Sequence, residues 1–172
     1  MTAWVALLRG VNVGGITIKS ADLARVFRDL GFDDVRTVLA SGNVAFEAAG
    51  SRAALKASIE RALRDEFSYD AWILLVTAKE LKAAIDGFPF DETDATRQPW
   101  VIFCVDAETR DELAAASVDA DLDPVAPGPG VVYWNPPKGS STDTPFAKLL
   151  AKATYKPRTT NRNLRTLIKI LG

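Results

Sequence analysis

Three short runs of the chain, residues 4–8, 72–76 and 100–105, are apolar at every position. A strand with one face in water alternates apolar and polar side chains, so an uninterrupted apolar run of this length indicates a strand buried on both faces. The chain must therefore form sheets that are covered on both sides. The sequence leaves three sources of that cover open: the other half of the chain, a C-terminal helix, or a second subunit.

The residues around the first two runs predict one supersecondary unit. A helix-spaced apolar stripe lies between Ser20 and Gly31, and a second helix runs from Ser51 to Phe67. Strands at 34–39 and 43–47 flank a tight turn at Ser41-Gly42. The resulting order, β-α-β-β-α-β, is that of a ferredoxin-like unit.

The second half repeats this order more weakly. A capping box at Thr77 to Glu80 opens a short helix, and an acidic, proline-containing stretch then leads to the strand at 100–105. A helix at 107–116, a hairpin within 122–134, a helix after Thr144 and a strand near 155–159 follow. We therefore predict an α+β fold with two ferredoxin-like (β-α-β-β-α-β) halves packed together and an extra C-terminal helix. The predicted parts are residues 1–77 for the N-terminal half, 78–99 for a helix and linker, and 100–172 for the C-terminal half with its terminal helix.

Composition removes several chemistries. The chain of 172 residues has no histidine, which excludes Ser-His-Asp triads and histidine-based metal sites. Its one cysteine, Cys104, lies in an apolar run and is predicted to pack in the core. The acids Asp119, Asp121 and Asp123 alternate as at the start of a calcium loop, but Pro124 stands where glycine is required, so a solvated face is predicted. Arg9 interrupts the first apolar run, and without a signal or membrane segment we expect a cytoplasmic protein that does not enter a membrane.

The topology places two polar segments at one edge of the predicted first sheet. Asn12, Gly14 and Gly15 follow the first strand, and Ser41, Gly42 and Asn43 form the turn between the second and third strands. Glycine lets backbone N–H groups approach a ligand, and Asn and Ser side chains orient it. With Arg9 just below, this edge is predicted to hold phosphate or carboxylate. The alternative is that these residues only make tight turns, and the sequence leaves both open.

The C-terminal end of the chain is strongly basic. From Lys138 onward there are eight basic residues and one acid. Thr160, Asn161 and Asn163 are predicted at the start of the last helix, where free N–H groups favour an anion, and Arg162 can fork onto phosphate. That helix is predicted to turn Leu164, Leu167, Ile168 and Leu171 inward. The alternative is helix capping, with the basic end docked on the chain's own acidic middle.

Four segments in order resemble the DUF1697 family. They are Ala6 to Gly15, Ile18 to Leu23, Val35 to Thr37 with Ser41 to Val44, and Thr160 to Thr166, where Leu164 replaces the aromatic residue that often follows Arg-Asn in the family. The resemblance implies two ferredoxin-like halves and supplies no established activity. It also implies a shared polar set that comprises Arg9, Asn12, Gly14, Lys19, Ser41, Asn43, Arg162 and Asn163.

The leading hypothesis is a binding protein for a phosphorylated small molecule, a nucleotide or a nucleic-acid backbone. The predicted ligand-binding residues are Arg9, Asn12, Gly14, Gly15, Lys19, Ser41, Asn43, Thr160, Arg162 and Asn163. The same residues would also serve a histidine-independent enzyme that handles phosphoryl groups by charge and positioning. A third hypothesis is a structural module without ligand, whose apolar sheet is covered in a homodimer. No catalytic residue, cofactor or metal ligand is identified.

Overall fold

The computed structural model describes residues 1–9, 16–39 and 42–172. Within that part the protein is a mixed α+β structure with two four-stranded antiparallel sheets and six α-helices. In chain order the elements are β1 (Thr2–Leu8), α1 (Ser20–Asp29), β2 (Asp33–Thr37), β3 (Asn43–Ala48), α2 (Arg52–Phe67), β4 (Ile73–Thr77), α3 (Ala78–Asp86), β5 (Trp100–Cys104), α4 (Ala107–Ala114), β6 (Val125–Gly128), β7 (Val131–Trp134), α5 (Pro145–Leu150), β8 (Thr159–Asn163) and α6 (Leu164–Leu171).

Packing divides the chain into two compact units. The first unit contains Met1–Leu81 together with Lys169–Gly172, and the second contains Lys82–Ile168. The predicted linker stretch thus belongs to the second unit, and the last four residues return to the first. Each unit contains one of the two sheets.

In the first unit the strands lie in the order β2-β3-β1-β4, and every neighbouring pair is antiparallel. Trp4, Ala6 and Leu8 of β1 face a core that is completed by apolar residues of α1 and α2, including Phe27 and Ile59. Burying a large apolar side chain contributes about 1.5–3 kcal/mol, so this layer supplies much of the unit's stability. Ser51 caps α2 as predicted, because its hydroxyl accepts a hydrogen bond from the N–H of Ala54 at 3.2 Å.

On the other face of the first sheet, two apolar residues of β1 are also buried. Val5 and Leu7 alternate with the core-facing residues of β1, and both are shielded from solvent. The end of α6 reaches this face, where Ile170 borders a cleft of about 210 Å³ together with Val5 and Ala45. The guanidinium of Arg36 on β2 donates a hydrogen bond to the carbonyl of Ile170. A cation in that position satisfies a carbonyl of the last helical turn, which has no partner within its own helix.

The second unit repeats the arrangement, with the strand order β6-β7-β5-β8. Ile102 of β5 and Trp134 of β7 pack with Leu113 of α4 and with Phe146 and Leu150 of α5. Helix α5 begins as predicted: Pro145 occupies its first turn, and the hydroxyl of Thr144 accepts a hydrogen bond from the N–H of Ala147 at 3.1 Å. The hairpin of β6 and β7 is also confirmed, with Gly130 at φ 75° in its turn.

Four local predictions are corrected. Thr160 and Asn161 do not start a helix, because Thr159–Asn163 is a strand whose backbone pairs with β5. The strand predicted near 155–159 therefore begins at Thr159 instead, after a 3-10 turn at Lys156–Arg158. The predicted N-cap Ser20 is instead the first residue of α1, and Lys19 occupies the N-cap position. Ile168 is 46% exposed, because the buried stripe of α6 passes through Leu164, Leu167 and Ile170.

The carboxylate of Asp123 is buried, so the prediction of a solvated face is wrong for this residue. Its Oδ1 accepts a hydrogen bond from Trp134 Nε1 at 2.8 Å, and its Oδ2 accepts one from the N–H of Phe146 at 3.2 Å. A buried carboxylate needs such donors to offset its desolvation, so Asp123 ties β7 to the start of α5. Asp119 and Asp121 remain exposed, as predicted.

Tyr133 of β7 is held between two glycines. Its buried hydroxyl donates a hydrogen bond to the carbonyl of Ala84 at 2.6 Å. A Cβ placed on Gly128 would lie 2.8 Å from the ring carbon Cζ, and one placed on Gly87 would lie 2.7 Å from the hydroxyl oxygen. We call this arrangement the Tyr133 clamp.

We expect Gly128→Ala to lower the free energy of unfolding by about 1–3 kcal/mol, because overpacking of a filled site costs that much. Urea denaturation measures the change. Gly139→Ala is the control: a Cβ there meets nothing within 4 Å, so only the strain of its φ of 87° applies. A loss at Gly128 no larger than at Gly139 would contradict the clamp.

Candidate functional site

Three strand ends meet at one edge of the first sheet. The N–H of Leu8 donates to the carbonyl of Gly42 at 2.8 Å, and the N–H of Arg9 donates to the carbonyl of Trp72 at 3.2 Å. The end of β1 is therefore held between the residues that lead into β3 and β4. Because β1 and β2 are both antiparallel to β3, they run parallel, so α1 also begins at this edge. We call this region the β1 edge, comprising Arg9, Lys19, Gly42, Asn43 and Trp72.

Arg9 supplies a partly buried positive charge at the β1 edge. Burial lowers the pKa of its guanidinium below the usual value. An arginine remains protonated at neutral pH despite such a shift, and its charge acts more strongly where water is partly excluded. Lys19 adds a second, exposed cation at the start of α1. The β1 edge thus combines two cations with a helix N-terminus.

Asn43 is completely buried at the start of β3. Its amide Nδ2 donates to the carbonyl of Val38 at 2.9 Å, and its own carbonyl accepts from the N–H of Val38 at 3.0 Å. It pairs with Leu7 of β1 and therefore lies on the sheet face opposite to α1 and α2. This double contact joins the end of the β2 segment to the start of β3.

A pair of charged residues that the sequence did not predict as part of a site lies next to the β1 edge. Glu60 Oε2 accepts a hydrogen bond from the N–H of Ile73 at 3.0 Å, and Lys56 Nζ donates to the carbonyl of the same residue at 2.9 Å. The two side chains also form an ion pair with each other. Their i, i+4 spacing on α2 was the available signal, although it indicates only a helix-surface pair. The pair fixes where β4 begins.

The predicted site residues fall into three groups. Asn12, Gly14, Gly15 and Ser41 lie outside the described residues. Arg9, Lys19 and Asn43 belong to the β1 edge of the first unit. Thr160, Arg162 and Asn163 lie on β8 of the second unit.

Arg162 is 5% exposed and is held by its own strand. Its Nη1 donates to Thr160 Oγ1 at 2.8 Å and to the carbonyl of Asn161 at 2.9 Å. It pairs with Val101, which also pairs with Tyr133, so the three share the face of the second sheet opposite to α4 and α5. Burial lowers its pKa to about 10, which leaves it charged at neutral pH.

Asn163 ends β8 and caps α6. Its Oδ1 accepts a hydrogen bond from the N–H of Arg165 at 2.9 Å. One of the free donors at the start of α6 is therefore already used by the chain itself. The anion site predicted at the start of α6 stays a prediction, with one fewer donor for a ligand.

Other reactive groups of the described chain offer little chemistry. Burial raises the pKa of the Cys104 thiol to about 12, which suits core packing and opposes a thiolate nucleophile. Among the described residues no cluster of three or more acids or cysteines has a geometry that could hold a metal ion. No helix in the described ranges is long and apolar enough to span a bilayer.

Within the described ranges these features define the class of the protein: a mixed α+β structure of two four-stranded antiparallel sheets with a basic, partly buried strand edge. The chain matches the family described as "Protein of unknown function (DUF1697)" over residues 1–133 and belongs to it. No curated protein matches the sequence. The fold is similar to that of a conserved bacterial protein from Streptococcus pneumoniae, with a TM-score of 0.81 and 24% identity over 99% of this chain and 97% of the other.

We expect Arg162→Lys to destabilise the protein by about 1–3 kcal/mol, because an ammonium cannot reproduce the guanidinium's hydrogen bonds to Thr160 and Asn161. The matched control is Arg165→Lys, an exposed position in the first turn of α6 that should change stability by less than about 0.5 kcal/mol. Chemical denaturation measures the free energy of unfolding of both variants. Equal losses of stability in the two variants would show that the buried guanidinium of Arg162 makes no specific contribution.

Proposed function

We propose that the protein binds an anionic, phosphate-bearing ligand at the β1 edge. The observation that carries this proposal is the position of Arg9, a partly buried cation at the end of β1, whose backbone is held between the residues that lead into β3 and β4. A partly desolvated cation attracts an anion more strongly than a fully solvated one.

Lys19 supports the same ligand class. It occupies the N-cap position of α1, whose N-terminal N–H groups and dipole favour negative charge. The adjoining residues Asn12, Gly14, Gly15 and Ser41 remain the predicted suppliers of backbone and side-chain donors. A nucleotide, a sugar phosphate and a nucleic-acid backbone all present the required group.

The topology of each unit is a second part of the proposal. We infer that each sheet with its two helices forms a ferredoxin-like unit. The strand order β2-β3-β1-β4 and its counterpart β6-β7-β5-β8 support it, because both place the first strand of the unit between its third and fourth. A cytoplasmic location is part of the same proposal.

A thermal-shift panel of inorganic phosphate, nucleotides, sugar phosphates and short oligonucleotides tests the site. A ligand at a hundred times its Kd adds about 2.7 kcal/mol, which corresponds to a rise in Tm of about 5–10 °C. Lys19→Ala and Arg9→Ala should reduce this rise. Arg61→Ala removes an exposed arginine from α2 and should leave it unchanged.

Two results would reject the anion site: no member of the panel shifts Tm, or Arg61→Ala reduces the shift as much as Lys19→Ala does. Release of phosphate from a panel member, lost in the Arg9 and Lys19 variants, would assign a histidine-independent enzyme instead of a binding protein.

A structural module without ligand is the second candidate, and the burial of Asn43 favours it. Asn43 is fully enclosed, and its amide bonds to the backbone of Val38, as expected of a residue that specifies a turn.

We expect Asn43→Ala to lower the free energy of unfolding by about 1–3 kcal/mol in the absence of ligand, because the carbonyl of Val38 loses its donor. Asn161→Ala, at an exposed position of β8, is the control. Urea denaturation with and without the best ligand of the panel compares them. A loss at Asn43 that is the same in both conditions supports a turn role, whereas loss of ligand stabilisation with unchanged intrinsic stability would oppose it.

A further inference from the structure

We propose that the second unit carries a docking surface for a basic, amphipathic segment of a partner protein. The surface is an open cleft of about 530 Å³ between the end of α3, the stretch that follows it, and α6. Its apolar part is formed by Ile85, Phe88, Phe90 and Ile168, and its acidic part by Asp86, Asp91 and Glu92. We call it the Phe90 groove.

The apolar part of the groove is held by aromatic contacts and is partly exposed. Ile168 is 46% exposed because it lies outside the buried stripe of α6. The ring of Phe88 packs edge-to-face on Tyr133 at a centroid distance of 5.6 Å, and the ring of Phe90 packs edge-to-face on Phe88 at the same distance. The Tyr133 clamp thus fixes the first ring, and that ring supports the second. A preorganised aromatic surface binds an apolar side chain with little loss of entropy.

All the charged residues that line the groove are acidic. Residues 86–94 contain four acids and no base. Asp86 pairs with Lys82 at 2.6 Å, whereas neither Asp91 nor Glu92 forms an ion pair with a described residue. Hydrogen bonds from Thr93 lower the pKa of the Asp91 carboxyl, so its charge persists below neutral pH. The groove therefore presents negative charge that a partner has to neutralise.

This combination selects the partner's chemistry. Nucleic acid and phosphorylated molecules carry the same sign of charge as the groove and are repelled. A neutral apolar partner would bury carboxylates without compensation, which costs free energy. Lysine and arginine can lay their aliphatic stems on the phenylalanine rings and place their charges at the carboxylates. A segment that combines basic residues with an apolar anchor satisfies both parts of the groove.

Fluorescence anisotropy with the full-length protein tests the proposal. The probes are labelled peptides in which lysine and leucine either alternate or follow helical spacing. Two controls of equal length replace every lysine by glutamate or every leucine by serine. We expect a basic amphipathic peptide to bind at least about fivefold more tightly than either control, because charge and apolar contact both contribute.

Matched variants locate the binding. Glu92→Lys and Ile168→Ser should each lower the affinity for the peptide about five- to tenfold. Their controls, Glu108→Lys on α4 and Leu122→Ser, change an exposed acid and an exposed apolar residue elsewhere and should leave affinity unchanged. The proposal is overturned if no peptide binds, if the serine-containing peptide binds as tightly as the amphipathic one, or if the control variants weaken binding equally. None of these outcomes depends on the anion site at the β1 edge.

Discussion

Burial of the central strands on both faces is the constraint on which the structure depends. Strand β1 is enclosed from Trp4 to Leu8, and β5 from Val101 to Cys104. Helices of the same unit cover one face of each strand. In the first unit the chain returns at its far end to place Ile170 over the other face. A sheet with one solvated face would not need this return, so the course of the last helix follows from a property of the first strand.

The same constraint governs the buried polar groups. Asn43 and Arg162 both lie on the sheet faces opposite to their unit's helices, where an unsatisfied polar group costs several kcal/mol. Each bonds to backbone or hydroxyl groups of its own strand or turn. Their burial favours specification of the fold, whereas the exposed Lys19 and half-buried Arg9 retain access to solvent. The two proposed surfaces also differ in sign, since the β1 edge is basic and the Phe90 groove is acidic.

Side-chain pattern predicted the elements whose burial decides their structure. The apolar runs located β1, β4 and β5, and the Thr144-Pro145 pair located the start of α5. Strand β8 was predicted too early, near 155–159, because all its residues are polar and its place is set by backbone pairing with β5. The topology also predicted that Arg9 and Asn43 share an edge. It gave no sign that Arg162 and Asp123 are buried, because burial of a charge depends on donors and acceptors brought from distant positions.

The Tyr133 clamp couples three positions, and the two glycines are coupled to different atoms of the same side chain. A methyl group at Gly87 would meet chiefly the hydroxyl oxygen, whereas one at Gly128 would meet the ring itself. Exchange of the tyrosine for phenylalanine would therefore make room at Gly87 and none at Gly128. Divergent relatives that keep this architecture can thus be expected to vary at the first glycine together with the loss of the hydroxyl, while the second glycine persists wherever an aromatic ring does. The clamp leaves a pattern of paired substitutions that can be read from sequences alone.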